Sequence, residues 1–150
     1  ATVNTHDLPP TAGYLAGEHV DLRARLGLLT EPVEQVRAAA EHERDVMLGV
    51  LRERGLVAEN PTEREIVEAL HLYLIASDSV LFGVALVDAV GERRAQNQPG
   101  TNTEYPNWQI PLADSAGEAV LMENRAQVSR FDSLARAVDE AMRRIAAERG

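Results

Sequence analysis

Apolar positions along this chain recur in distinct patterns, and each pattern predicts an element. Val33, Val36, Ala40, Met47 and Val50 return to one face of a helix. Thr30-Glu31-Pro32 can start it, since proline is tolerated in a first helical turn, and Gly55 is placed to stop it. Thr62 and Glu65 have the spacing of a capping box, in which the Thr62 hydroxyl accepts from the Glu65 amide and the Glu65 side chain reaches back. Ile66, Leu70, Tyr73 and Leu74 then form the apolar stripe of a second helix. Residues 18–59 read as mainly helical. A final helix starts at Ser129-Arg130-Phe131-Asp132, carries Phe131, Leu134, Val138, Met142 and Ile145 on its apolar side, and ends by Gly150.

Residues 80–87 break this periodicity. They form a nearly continuous apolar run, as expected of a strand buried on both faces in a parallel sheet, although so short a run also fits a helix segment. Asp88 ends the run. Residues 1–17 read as a strand end plus loop, interrupted by Pro9, Pro10, Gly13 and Gly17. Residues 91–115 read as loop, punctuated by Pro99-Gly100, Tyr105-Pro106 and Pro111. There is no internal repeat and no low-complexity tract. One strand and a strand stub cannot close a sheet with covered edges, so the pattern predicts part of a larger α/β fold. Absent walls would leave the apolar surface of 80–87 exposed or self-associated.

Composition narrows the chemistry. Of 150 residues, 45% are hydrophobic and 26% charged, which suits a packed core. The net charge of −9 opposes binding to nucleic acid or to anionic membranes and is compatible with a neutral substrate such as a carbohydrate. With no cysteine there is no disulfide framework, and a cytoplasmic enzyme is expected. No apolar run approaches a membrane span, and residues 1–11 lack the basic start and apolar centre of a signal peptide. The opening on Ala1 agrees with a fragment or a processed chain. His6, His19, His42 and His71 are too widely spaced for a His-x-x-x-His metal motif, so no metal is expected.

Two segments carry a more specific signal. Asn4-Thr5-His6-Asp7-Leu8-Pro9-Pro10-Thr11 and Gln96-Asn97-Gln98-Pro99-Gly100-Thr101-Asn102-Thr103-Glu104-Tyr105-Pro106-Asn107-Trp108, in this order and spacing, resemble the 4-α-glucanotransferases called amylomaltases or disproportionating enzymes, glycoside hydrolase family 77. The resemblance extends over essentially the whole chain. It implies the C-terminal part of a (β/α)8 barrel, with Thr5-His6-Asp7 closing strand seven, 80–87 as strand eight, and a site at the strand C-terminal ends. It also implies transfer of α-1,4-glucan segments between maltooligosaccharides with retention, which needs a nucleophile and an acid/base flanking the glycosidic bond. Both of these lie upstream in the family, and no segment here matches them. Asp7 matches the family's third, transition-state-stabilising carboxylate. His6 would hydrogen-bond sugar hydroxyls, and Asn97 matches a substrate-contacting asparagine. Leu8 stands where the more widespread motif has asparagine. No cofactor is implied, and the missing N-terminal part of the same enzyme is the expected partner.

Plainer readings stand beside these. Asp7 before Leu8-Pro9-Pro10 could be a turn former. Tyr105 and Trp108 could stack on a sugar, but packing of the loop onto a barrel rim is preferred for Trp108. Asn102 and Asn107 suit turns, and Asp88 suits an orienting group or cap. The charged neighbours of His42 and His71 suggest surface positions, and residues 41–54 suggest a solvated helix face. The 150 residues alone are expected to lack transferase activity. The alternative is an autonomous helical interaction module that docks through its amphipathic stripes.

Overall fold

The computed structural model describes residues 1–123 and 128–149. Among the described residues, six α-helices occur in the order α1 (Thr11–Leu15), α2 (Glu18–Arg25), α3 (Val33–Glu53), α4 (Glu63–Ile75), α5 (Leu86–Val90) and α6 (Ser129–Arg149). Their ends follow local chemistry. The capping box of α4 is complete: Glu65 N–H donates to Thr62 Oγ1 at 3.3 Å, and Thr62 N–H donates to Glu65 Oε2 at 2.7 Å. Beyond α3, Gly55 takes φ +68°, and Leu56 N–H donates to the Leu51 carbonyl at 2.9 Å. This left-handed stop leaves Leu56 folded back onto the core.

That core is small and lies where α3 and α4 meet α1: Leu15, Leu51, Ile66, Val67 and Ala69, with Tyr14, Met47, Leu48 and Leu56 packed around them. Helix α4 is central, touched by α1, α3 and α6, so it buries more than one face. This shifts the expected stripes. Val67, Ala69, His71 and Ile75 are buried on α4, while Tyr73 is exposed beneath the Arg54 guanidinium, 5.6 Å from its ring centroid. On α3 the buried position is Leu51, and Val50 is exposed. On α6, Leu134 and Ala141 are buried and Met142 is exposed.

The expected strand at 80–87 is corrected. Among the described residues there is no strand of any length: Thr2 and Gly83 form an isolated parallel bridge, and a second isolated bridge joins Ala113 and Ala119. The later part of the run winds into α5, which takes up Leu86, Val87 and Asp88. A ladder grows only when a neighbour supplies alternate donors and acceptors, and among the described residues this run pairs only with Ala1 and Thr2. Val80 is 97% exposed and Leu81 80%, the exposed apolar surface expected of this run when barrel walls are absent. The described residues are therefore mostly helical.

One close approach fixes the geometry below. A Cβ on Gly13 would stand 2.1 Å from the Arg93 carbonyl oxygen, so α1 lies against the backbone that follows α5.

Candidate active site

Residues 4–11 form a closed loop. Leu8 N–H donates to the Thr5 carbonyl at 3.1 Å, which makes a β-turn with His6 and Asp7 at its two corner positions. Corner side chains project outward, and both are more than half exposed. The base of the loop is buried: Asn4 Nδ2 donates to Asp88 Oδ1 at 2.8 Å and to Thr11 Oγ1 at 3.2 Å, while the Thr11 amide donates to the same Asp88 oxygen at 3.1 Å. Asp88 thus caps the start of α1 and ties together the two residues that flank the turn.

The segment after α5 is organised by a second buried carboxylate. Glu92 accepts from the amides of Arg93, Arg94 and Ala113 at 2.8–2.9 Å and from the Arg94 guanidinium at 2.7 and 2.9 Å. Burial pushes its carboxyl up, but the Arg94 side chain and these amides together outweigh burial and hold it below the usual range. The loop beyond is pinned by its own side chains. Tyr105 O–H donates to the Ala95 carbonyl at 2.7 Å, and Asn107 accepts from the Gln98 amide at 2.7 Å and donates to Thr101 Oγ1 at 2.9 Å. Burial raises the Tyr105 hydroxyl above its ordinary value.

The two segments meet in one contact. Asn97 Nδ2 donates to Asp7 Oδ1 at 2.7 Å across 90 residues of sequence, and His6 Nε2 stands 3.3 Å from Asp7 Oδ2. All three candidate site residues, His6, Asp7 and Asn97, are therefore in one cluster. It opens onto a groove of about 540 Å³ lined by Asp7, Asn97, Pro99, Tyr105, His19 and Arg93 among others. Burial lowers His19 below the ordinary histidine range, so a neutral imidazole faces this groove. A carboxylate with one oxygen on an amide and the other beside an imidazole still has lone pairs for hydroxyl donors. The same groove is also lined by Glu18, Asp21, Arg23, Arg25 and Arg94.

Two expectations about the surroundings are corrected. Trp108 is not packed onto a rim: it is 63% exposed, takes φ +62°, and its ring lies 5.2 Å from that of His6. The Trp108 amide donates to the Gln96 carbonyl at 2.8 Å, the bond that holds this residue in the left-handed region. His71 is not a surface residue but is fully buried, because Val67, His71 and Ile75 form a row one turn apart on the inner side of α4. That row was available as a signal. The pairing of Asn4 and Thr11 with Asp88 had none, since it spans 84 and 77 residues. Among the described residues, no three or more His, Asp or Glu side chains are grouped to hold a metal ion. Nor is any helix long and apolar enough to cross a membrane.

Residues 1–116 match the sequence profile of the family described as 4-alpha-glucanotransferase, glycoside hydrolase family 77. The 4-alpha-glucanotransferases of Mycobacterium bovis and Mycobacterium tuberculosis are each 50% identical over 143 residues, which covers 94% of this chain and 20% of theirs. That of Haemophilus influenzae is 28% identical over 140 residues, 87% of this chain and 20% of its own. The crystal structure of amylomaltase from Corynebacterium glutamicum superposes with a TM-score of 0.86 at 41% identity, covering 91% of this chain and 21% of that one. The chain thus spans about a fifth of the length of the relatives it matches. With both motif segments meeting at one groove inside the matched region, this chain belongs to the 4-α-glucanotransferase family.

Proposed function

We propose that these residues are the C-terminal part of the catalytic barrel of a retaining 4-α-glucanotransferase, acting on α-1,4-glucans and maltooligosaccharides. In this reading Asp7 is the carboxylate that steadies positive charge developing at the anomeric carbon. His6 and Asn97 hold hydroxyls of the same sugar ring. A nucleophilic carboxylate and an acid/base carboxyl from the remaining length of the enzyme form and resolve the glycosyl-enzyme intermediate. The observation that carries the reading is the Asn97–Asp7 bond, which joins the two family motifs at the edge of one groove. The parallel bridge between Thr2 and Gly83 supports the placement of these segments as neighbouring barrel strands seven and eight, linked by a helical crossover. The bare Val80 and Leu81 side chains then face the rest of the barrel. A neutral glucan in the cytoplasm fits the acidic, cysteine-free sequence. Coverage of a fifth of the relatives favours this reading over a free-standing helical module.

The test is maltotriose disproportionation by the full-length enzyme and its Asp7→Asn variant. Loss of the charge should lower kcat about 10²–10³-fold, as when a transition-state stabiliser is removed. The 150 residues alone should redistribute nothing. A variant that keeps parental kcat would remove Asp7 from the chemistry.

A further inference from the structure

Asp88 and His71 form a buried polar pair that this mechanism leaves unused. His71 Nδ1 lies 2.8 Å from the Val67 carbonyl, which can only accept, so Nδ1 carries a proton and Nε2 faces Asp88. His71 Nε2 and Asp88 Oδ2 are 3.7 Å apart, both side chains are fully buried, and neither atom has a hydrogen-bond partner. Two facing buried acceptors without a donor are costly. A bridging water does not resolve this, because two hydrogen bonds through one oxygen need about 4.5 Å between the outer atoms. A single proton between the two atoms does resolve it, and draws them to hydrogen-bond length.

We infer that His71 and Asp88 share one buried proton and act together as a positioning pair for Asp7, resting on the proposed glucanotransferase reading. The route is short. Asp88 Oδ1 holds Asn4 and Thr11, the two residues that close the loop at whose tip His6 and Asp7 stand. His71 fixes Asp88 from behind, and Phe82 closes the edge of the imidazole with ring centroids 6.0 Å apart. The neighbouring charges are engaged elsewhere. Asn4 and Thr11 are neutral, Glu92 one turn onward is occupied by Arg94, and Arg130 of α6, beside Gly91, is paired with Glu63. Burial raises the Asp88 carboxyl above its ordinary value, more than its hydrogen bonds and His71 lower it, consistent with a retained proton.

The decisive comparison is between Asp88→Asn and Asp88→Ala in the full-length enzyme. An amide can accept from Asn4 and Thr11 through oxygen and donate to His71 Nε2, restoring every bond without a titrating proton. Asp88→Ala should lower kcat at least about tenfold with KM changed less than about twofold, and Asp88→Asn should recover most of that loss. The alkaline fall of kcat assigned to the shared proton should be absent in Asp88→Asn. An Asn variant as impaired as the Ala variant, or one with the parental alkaline limb, would overturn the proposal. A readout independent of transfer is the ¹⁵N spectrum of labelled histidine in the full-length protein, with His71 assigned by its loss in His71→Gln. A hydrogen-bonded Nε2 is expected, and a bare Nε2 refutes proton sharing even in a fully active enzyme. A parent inactive on maltotriose would instead refute the functional reading and leave the nitrogen spectrum to decide the pair.

Discussion

Residues 76–85 and 92–113 are both irregular, yet they are held in opposite ways. The polar segment 92–113 brings its own partners: Glu92 gathers three amides and a guanidinium, and Tyr105 and Asn107 close the loop on itself. The apolar segment 76–85 has Ser77 and Ser79 bonded to each other and one bridge through Gly83, while Val80 and Leu81 stand in solvent. A polar loop can satisfy its backbone locally, whereas an apolar run depends on surfaces supplied from elsewhere. Order in this molecule therefore follows wiring more than hydrophobicity.

The strongest way to break this contrast is Glu92→Ala. It takes the acceptor from the Arg93, Arg94 and Ala113 amides and from the Arg94 guanidinium, and should destabilise the chain by about 3–5 kcal/mol in urea unfolding, with protease cuts appearing within 92–113. Next is Leu81→Ala, which should act differently by context. In the 150-residue chain it removes an exposed side chain and should change stability by less than about 0.5 kcal/mol. If Leu81 meets the rest of a barrel, as proposed, the same change in the full-length enzyme should cost about 2–5 kcal/mol. Equal effects in both would refute the barrel placement. Tyr105→Phe deletes one hydrogen bond to the Ala95 carbonyl and should cost about 1 kcal/mol, with loosening confined to the wired loop on hydrogen exchange.

The smallest effect is the response to acid. Glu92 is held below the ordinary carboxylate range, so its contribution is complete above that range and is lost as pH falls through the depressed value. Asp88 is raised and has the opposite sign. The folded chain keeps a proton that the unfolded chain has released, so its contribution declines as pH climbs from the ordinary to the raised value. Unfolding midpoints across pH should show the acid loss in the parent and its absence in Glu92→Gln, measured against an Asp88→Asn control.

Legibility followed the range of the interactions. The capping box at Thr62 and Glu65 and the left-handed stop at Gly55 involve neighbours in sequence and were readable from it. The resemblance gathered His6, Asp7 and Asn97, which the structure places together. Burial of His71 was half-visible in its spacing from Val67 and Ile75, but its charged neighbours along the helix masked it. The run at 80–87 misled because apolarity marks a surface that wants covering without saying whether the cover is present. Asn4 and Thr11 meet Asp88 across 84 and 77 residues, and Glu92 reaches the Ala113 amide across 21, separations that no local pattern encodes.

The contact of Gly13 with the Arg93 carbonyl has a geometric consequence. Backbone presses on backbone between the piece that bears Asp7 and the piece that bears Asn97, with no side chain between them to act as a bearing. The spacing between Asp7 and Asn97 is thus set in part by a residue whose contribution is to have no side chain.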